Sequence, residues 1–110
     1  MTLKPFDIVI IPFPFSDDID KQKYRPALVV SSEEYNKKTG CSVFIMITSA
    51  KHSSFYNDYV IKNYDGTNLQ SGCIIRYKFF TLDNTIVKQT IGRLNDDDIP
   101  NIKDNISNLF

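Results

Sequence analysis

The sequence has little or none of several features that define common protein classes. Its 110 residues carry 13 basic and 13 acidic side chains, so the formal net charge is zero. This balance excludes a histone-like binder, whose affinity rests on a large positive excess, and argues equally against an acidic disordered protein. No apolar run approaches the roughly 18 residues that a membrane-spanning helix needs. We therefore expect no membrane contact, and the N-terminal residues predict no signal peptide.

Histidine and cysteine are also scarce. The single histidine, His52, excludes a mechanism that needs two imidazoles and a zinc site built from several. Cys41 and Cys73 form no metal-type pair, and we expect reduced thiols in a cytoplasmic protein. Glycine-rich phosphate loops and the G-x-S-x-G and H-E-x-x-H motifs are absent. The acidic run at Asp17, Asp18 and Asp20 is better explained as solvated loop charge, so we expect no metal and no cofactor.

The remaining composition fits a single domain over residues 1–110. Apolar residues make up 42% and charged residues 24%, close to the globular average. Short β-branched runs predict strands over residues 7–13, 27–31, 42–48, 58–62, 73–82 and 86–91. Pro12 predicts an edge or bulge position in the first strand. The last two strands are predicted to form a hairpin, with Asp83-Asn84 as a turn of positive φ.

Two helices are predicted among these strands. Residues 33–39 suit a short helix that ends at Gly40. At the C-terminus, an apolar residue recurs at helical spacing, with Asp96 or Asp97 as the cap: Ile99, Ile102, Ile106 and Leu109. The predicted fold is therefore mainly β, a small antiparallel barrel with short helices and a C-terminal α-helix.

Two segments carry side chains suited to phosphate chemistry. Arg25 begins an apolar strand directly after a basic loop, and its guanidinium is a planar fork that matches phosphate. Thr48 and Ser49 end a hydrophobic strand and precede Lys51 and His52, so hydroxyl donors and cations lie together. Each segment also has a structural explanation. Arg25 would form a salt bridge at the rim of the barrel, and the hydroxyls of Thr48 and Ser49 would satisfy backbone groups at the end of a strand.

Five sequence blocks occur in a set order along nearly the whole chain. They are Phe13-Pro14-Phe15-Ser16-Asp17, Lys23-Tyr24-Arg25-Pro26-Ala27-Leu28-Val29-Val30-Ser31, Ile47-Thr48-Ser49, Phe80-Thr81-Leu82-Asp83 and Ile91-Gly92-Arg93-Leu94. This order resembles the MazF/PemK family of type II toxin–antitoxin toxins. The opening Asp7-Ile8-Val9 also resembles that family's Gly-Asp-Ile-Val start, with Phe6 in place of the glycine.

The resemblance implies an SH3-like barrel of the CcdB/MazF-like toxin fold, assembled as a homodimer. It implies a sequence-specific, metal-independent endoribonuclease that cuts single-stranded RNA, often messenger RNA, to a 2′,3′-cyclic phosphate and a 5′-hydroxyl. Such a toxin inhibits translation and growth, a cognate antitoxin neutralises it, and DNA is bound only through the antitoxin complex. The family's catalytic arginine and threonine match Arg25 and Thr48, and Ser49 follows in the same motif. The general base stays open, with His52 as one candidate.

Further residues are expected to contact RNA or the antitoxin. The predicted RNA contacts are Lys23, Ser49, Lys51, His52, Arg76, Tyr77 and Lys78, which would make a locally basic cleft on a neutral protein. An aromatic ring between two cations can stack a base, although Tyr77 stands where the family has an acid and also suits packing. The loop from Ser16 to Tyr24 flanks Arg25, so we expect it to act as gate and antitoxin contact through Ser16, Asp17, Lys21 and Lys23.

Two other functions compete with the nuclease. A CcdB-like poison would bind DNA gyrase through its C-terminal residues, which typically include a tryptophan, whereas this chain has none and ends Ser107-Asn108-Leu109-Phe110. A catalytically inactive RNA-binding module would be favoured if Arg25 were held in a salt bridge.

Overall fold

Six antiparallel strands form one sheet that curls into a half-barrel. The computed structural model describes residues 2–12, 23–49, 53–70 and 72–110. The sheet order is β4-β5-β3-β2-β1-β6, and the fold therefore confirms the predicted β architecture with a C-terminal helix. In chain order the elements are β1 (Asp7–Pro12), β2 (Tyr24–Val29), α1 (Glu33–Thr39), β3 (Cys41–Thr48), β4 (Tyr59–Val60), β5 (Ile74–Asp83), a 3-10 turn (Asn84–Ile86), β6 (Gln89–Arg93) and α2 (Ile99–Ser107).

Both faces of the central strands are buried, which explains why their sequences are apolar throughout instead of alternating. In β2, Leu28 packs into one core cluster, whereas Ala27 and Val29 pack into the other. Helix α2 covers the first cluster with Ile99 and Ile102, so its predicted apolar face is confirmed. Burial of each such aliphatic side chain contributes about 1.5–3 kcal/mol.

The predicted hairpin between the last two strands is wrong. Strand β5 pairs with β3 and β4, whereas β6 pairs with β1 at the far edge of the sheet. The Asp83 backbone has a φ of −61°, and its carboxylate accepts the Thr85 N–H at 2.9 Å, which caps the 3-10 turn. This cap sends the chain across the barrel instead of back along β5.

Pro12 lies neither at an edge strand nor at a bulge. It ends β1, where pairing with β2 continues to Tyr24 but pairing with β6 stops at Ile10. Because Pro12 lies beyond the part of β1 that pairs with β6, its lack of an N–H costs no hydrogen bond between these two strands. The bulge in this pairing lies between Ile8 and Val9.

Helix α1 has the ends that its sequence predicts. The Ser32 hydroxyl accepts the Tyr35 N–H at 3.1 Å, and this cap satisfies one of the free donors of the first turn. Gly40 ends the helix with a φ of 72°, a left-handed conformation that costs glycine little.

Helix α2 begins after Asp98, not after Asp96 or Asp97 as predicted. The fully buried Asp98 carboxylate makes no cap bond; it accepts the N–H groups of Lys62 and Asn63, both at 3.0 Å, and the Tyr59 hydroxyl at 2.6 Å. Burial and this hydrogen bond to Asp98 raise the pKa of Tyr59 to about 12. Asp98 therefore fastens the segment after β4 to the start of α2.

Phe6 occupies the position where the MazF/PemK start has glycine, and its backbone is left-handed, with a φ of 71°. This conformation costs a side-chain-bearing residue about 1–2 kcal/mol. Its ring is buried in the first core cluster, and Lys103 Nζ lies 5.7 Å from the ring centroid. Burial of an aromatic ring, about 2 kcal/mol or more, offsets the backbone cost.

Both cysteines are free thiols, Cys41 half-buried and Cys73 buried. Within the described ranges, no helix has the length and apolar character to cross a membrane.

A close backbone contact joins β6 to the segment that follows β4. A Cβ atom at Gly92 would lie 2.1 Å from the Gly66 carbonyl oxygen and 2.9 Å from Thr67 Cα. Thr67 is fully buried, and its hydroxyl donates to the Tyr64 carbonyl at 2.6 Å. Only glycine at position 92 allows this approach, which explains the glycine in the Ile91-Gly92-Arg93-Leu94 block.

Replacement of Gly92 by alanine should therefore displace the 64–70 segment. We expect Gly92→Ala to lower the free energy of unfolding by about 2 kcal/mol or more, because the new methyl group meets backbone atoms that cannot yield. Urea denaturation of both proteins measures the loss. The matched control is Gly66→Ala, whose Cβ meets no atom within 4 Å, so that its cost is limited to the left-handed φ of 73°, about 1–2 kcal/mol. Equal losses in the two variants would contradict the close-contact explanation.

Candidate active site

A cleft of about 250 Å³ opens where β2 begins and β3 ends. Arg25, Thr48 and Ser49 all line it, so the structure brings together three of the residues that the sequence predicts for one site. The walls are completed by further residues of β2 and β3 and by side chains from β1, β6 and the connection between β4 and β5: Pro26, Ile47, Ile10, Ile91, Asn68, Leu69, Gln70 and Cys73.

Strand register places Arg25 and Thr48 side by side. Ala27 pairs with Met46 and Leu28 with Ile45, and the same register continued for two residues sets Arg25 opposite Thr48. Arg25 is exposed, and its backbone is held by β1, since five consecutive residue pairs join β1 and β2. Thr48 is half-buried and pairs with Ile74 at the start of β5. Both side chains thus project from paired backbone instead of from loops.

The described part of the cleft lining is mostly uncharged. Among the described residues that line it, Arg25 is the only charged one, and the other polar groups are the hydroxyls of Thr48 and Ser49, the amides of Asn68 and Gln70 and the Cys73 thiol. Burial raises the pKa of that thiol, which keeps it protonated at neutral pH. In the described parts of the chain no three His, Cys, Asp or Glu residues cluster as metal ligands would.

Arg76 is a structural residue, which corrects its predicted role in RNA binding. Its side chain is buried, and its Nε and Nη2 donate to the two carboxylate oxygens of Asp58 at 3.1 and 2.9 Å. Two further N–H groups bind the hydroxyl and the carbonyl of Ser53 at 3.1 and 3.2 Å. With four donors engaged in this way, Arg76 holds residues 53–58 against the sheet.

Arg76 and Asp58 stabilise each other's charged forms. Burial alone would raise the pKa of Asp58, but the Arg76 hydrogen bonds, the Phe55 N–H and the nearby positive charges together hold that pKa below its usual value. The hydrogen bonds that Arg76 donates to Asp58 in turn raise the pKa of Arg76. The sequence-based expectation of a basic groove without acids therefore fails at this point, because Asp58 neutralises Arg76.

Tyr77 belongs to the core, not to a stacking platform. Its ring is only 5% exposed, and its hydroxyl accepts the side-chain amide of Asn105 on α2 at 2.8 Å. Tyr77 follows the buried Ile75 by two residues, and both pack into the first core cluster, as the alternation of side chains along a strand requires. A bulge begins at this point of β5, since Ile45 pairs with Phe79 and Met46 with Arg76, which leaves Tyr77 and Lys78 unpaired with β3.

Of the other predicted contacts, Lys23 and Lys78 lie in the described part of the chain. Lys23 is exposed and precedes Tyr24, whose ring lies 4.4 Å from Lys88 Nζ. Lys78 is exposed, and its Nζ lies 5.1 Å from the Phe55 ring centroid instead of in the cleft. The remaining predicted residues, Ser16, Asp17, Lys21, Lys51 and His52, lie outside the described residues.

The wall formed by Asn68, Leu69 and Gln70 was not predicted. These residues lie 20 or more positions from Thr48 and 43 or more from Arg25 in the sequence. The signal that could have indicated them is Gly66 together with Gly92, because a pair of glycines can mark a close backbone approach.

Residues 4–110 match the family described as PemK-like, MazF-like toxins of type II toxin–antitoxin systems. The chain belongs to this family. Three of the sequence blocks that carry the resemblance contribute to the cleft lining, through Arg25, Thr48 and Ile91. No curated protein sequence matches the chain.

Solved structures share the fold at low sequence identity. The chain is similar to MazF in a MazE–MazF complex from Deinococcus radiodurans, with a TM-score of 0.76 and 20% identity over 99% of this chain and 96% of that one. MazF alone from the same organism gives 0.75 and 18%, with the same coverage. An endoribonuclease in complex with its cognate antitoxin from a mycobacterial species gives 0.71 and 13% over 92% and 87%.

The role of Asp58 can be tested by pH-dependent stability. Its pKa is lowered in the folded protein, so it stabilises the fold above its ordinary pKa near 3.8 and loses that effect as the pH falls through the folded value. We expect Asp58→Asn to cost about 3 kcal/mol at pH 7, because it leaves Arg76 buried without its counter-charge. The difference from the unmodified protein should shrink below about pH 4.

The matched control is Asp96→Asn. Asp96 also faces an arginine, Arg93 at 3.4 Å, but its side chain is 92% exposed. A solvated pair of this kind contributes little, so urea denaturation should show no measurable loss at either pH. A loss for Asp58→Asn that is small or independent of pH would contradict the structural role of the Asp58–Arg76 pair.

Proposed function

We propose that the protein is a metal-independent endoribonuclease toxin that cuts single-stranded RNA at the cleft of Arg25 and Thr48. The observation that carries the proposal is that a guanidinium and a hydroxyl, contributed by two different sequence blocks of the toxin family, line one cleft. Their strands are paired to neighbours on each side, so both donors are positioned before substrate arrives. Donors fixed in this way stabilise developing charge without a reorganisation cost.

The proposed reaction is an internal transesterification. The ribose 2′-oxygen attacks the phosphorus of the neighbouring phosphate, and the bond from phosphorus to the 5′-oxygen of the next nucleotide breaks. The 2′-hydroxyl proton passes to a base, and the departing 5′-oxygen takes up a proton. The products are a 2′,3′-cyclic phosphate and a 5′-hydroxyl, and no atoms other than protons are exchanged with solvent. His52 is retained as one candidate for the base.

Arg25 and Thr48 have distinct roles in this scheme. The pentacoordinate transition state carries more negative charge on its oxygens than the phosphodiester does, so a cation beside it lowers the barrier. The guanidinium of Arg25 supplies two parallel N–H donors and a full positive charge. An arginine is a poor proton donor because its pKa exceeds 12, and its role is therefore electrostatic. The Thr48 hydroxyl adds a neutral donor to another phosphate oxygen.

Partners follow from the same proposal. Two of the similar solved structures are complexes with an antitoxin, and we propose a cognate antitoxin for this chain as well. An acidic segment would suit the exposed cations Lys23 and Arg25, which lie two residues apart where β2 begins. We further propose that the toxin acts as a cytoplasmic homodimer, and that DNA contact occurs only through the toxin–antitoxin complex.

The proposal predicts loss of RNA cleavage when either donor is removed. With EDTA present, the purified protein should cut a single-stranded RNA and leave a 2′,3′-cyclic phosphate, detected by mass spectrometry. Arg25→Ala and Thr48→Val should each reduce the single-turnover rate by about 10²–10³-fold, the usual effect of one transition-state donor.

The control variant is Arg93→Ala, which removes a half-exposed arginine outside the cleft. It should cleave at close to the unmodified rate. RNA that stays intact with the unmodified protein, or full activity of Arg25→Ala, would refute the proposal. RNA binding without cleavage would support the inactive module instead, and inhibition of gyrase supercoiling would support the CcdB-like alternative.

A further inference from the structure

Beyond the two catalytic donors, we infer that Asn68 and Gln70 read an RNA base next to the scissile phosphate and so determine which sequence is cut. This inference rests on the proposed nuclease function and deepens it. Both residues are exposed and line the same cleft as Arg25, Thr48 and Ser49. Neither comes from the blocks that carry the family resemblance.

The two amides lie on a wall that is separate from the phosphate-binding groups. Arg25 and Thr48 come from β2 and β3, whereas Asn68 and Gln70 come from the connection between β4 and β5. A phosphate held by Arg25 and Thr48 therefore places its attached nucleotides against this wall. The cleft of about 250 Å³ is large enough for one unpaired base but too small for a duplex.

Contacts within and beside the segment hold Asn68, Leu69 and Gln70 in place. Leu69, between the two amides, packs against the first core cluster, and its N–H binds the Thr67 hydroxyl at 3.3 Å. The Gly72 N–H donates to the Tyr64 hydroxyl at 2.8 Å, which closes the segment on itself. Asn68 has a left-handed φ of 56°, a conformation that asparagine tolerates better than most residues. A fixed backbone of this kind suits discrimination between bases.

The side chains also have the appropriate chemistry. A carboxamide carries a donor and an acceptor side by side, which matches the paired donor and acceptor on the edge of a base. Unpaired bases expose these edges, and proteins that recognise single-stranded RNA read them by hydrogen bonds. In contrast, the hydroxyls and the guanidinium across the cleft suit phosphate oxygens, which are the same in every nucleotide.

The test is a cleavage assay in which protein and RNA are altered together. The sequence preference of the unmodified protein is first mapped on a randomised single-stranded RNA pool. The preferred oligonucleotide is then prepared with an abasic nucleotide on either side of the cut. Asn68→Gly removes the amide but keeps the left-handed conformation accessible, and Gln70→Ala removes the second amide. The matched control is Asn57→Gly, since Asn57 is exposed with a φ of 61° and does not line the cleft.

We expect Asn68→Gly or Gln70→Ala to lower the preference for the favoured sequence by about tenfold or more, the usual value of one good base contact. The abasic substitution should slow the unmodified protein but have little additional effect in the amide variant that contacts that base, because the interaction is already lost. Asn57→Gly should keep both the preference and the abasic effect.

The outcomes separate the two claims. If the unmodified protein cleaves and both amide variants keep its sequence preference, the assignment of Asn68 and Gln70 is wrong while the nuclease function stands. If the variants lose activity equally on every sequence, the wall is structural and the assignment is again wrong. If the unmodified protein cleaves no RNA, the proposed function and this inference fail together.

Discussion

The backbone contact between Gly66 and Gly92 is the constraint on which the cleft depends. It holds the connection from β4 to β5 against β6, at the edge of the sheet opposite to β4. Without it, the cleft would keep Arg25 and Thr48 but lose the wall of Asn68, Leu69 and Gln70. The Asp98 carboxylate reinforces this arrangement, because it anchors Lys62 and Asn63, just before the contact, to helix α2.

Acidic and basic side chains balance in this protein, both in number and in the buried Arg76–Asp58 pair. The chain has no net charge, and its buried arginine is neutralised by Asp58. Arg25 is then the one charged side chain among the described residues of the cleft. A cation among hydroxyls and amides suits a site that binds a phosphate together with a neutral base.

Local patterns in the sequence predicted most of the fold. The spacing of Ile99 and Ile102 predicted helix α2, and Gly40 predicted the end of α1. The family resemblance placed Arg25 and Thr48 in one site, where the structure also puts them. The predictions that were wrong share a physical cause, because the placement of each residue depends on a contact between distant segments of the chain. Tyr77 is buried because helix α2 covers its face of β5 and Asn105 binds its hydroxyl, and the burial of Arg76 depends on Asp58. Neither contact leaves a periodic pattern in the sequence.

The most direct test is a crystal structure of the protein with its preferred RNA, in which a 2′-deoxynucleotide at the cut removes the attacking hydroxyl. The account predicts that oxygens of the scissile phosphate lie within about 3 Å of the Arg25 guanidinium and the Thr48 hydroxyl. A base that flanks this phosphate should contact Asn68 or Gln70. A phosphate bound outside the cleft, for example between Lys78 and Phe55, would contradict the account.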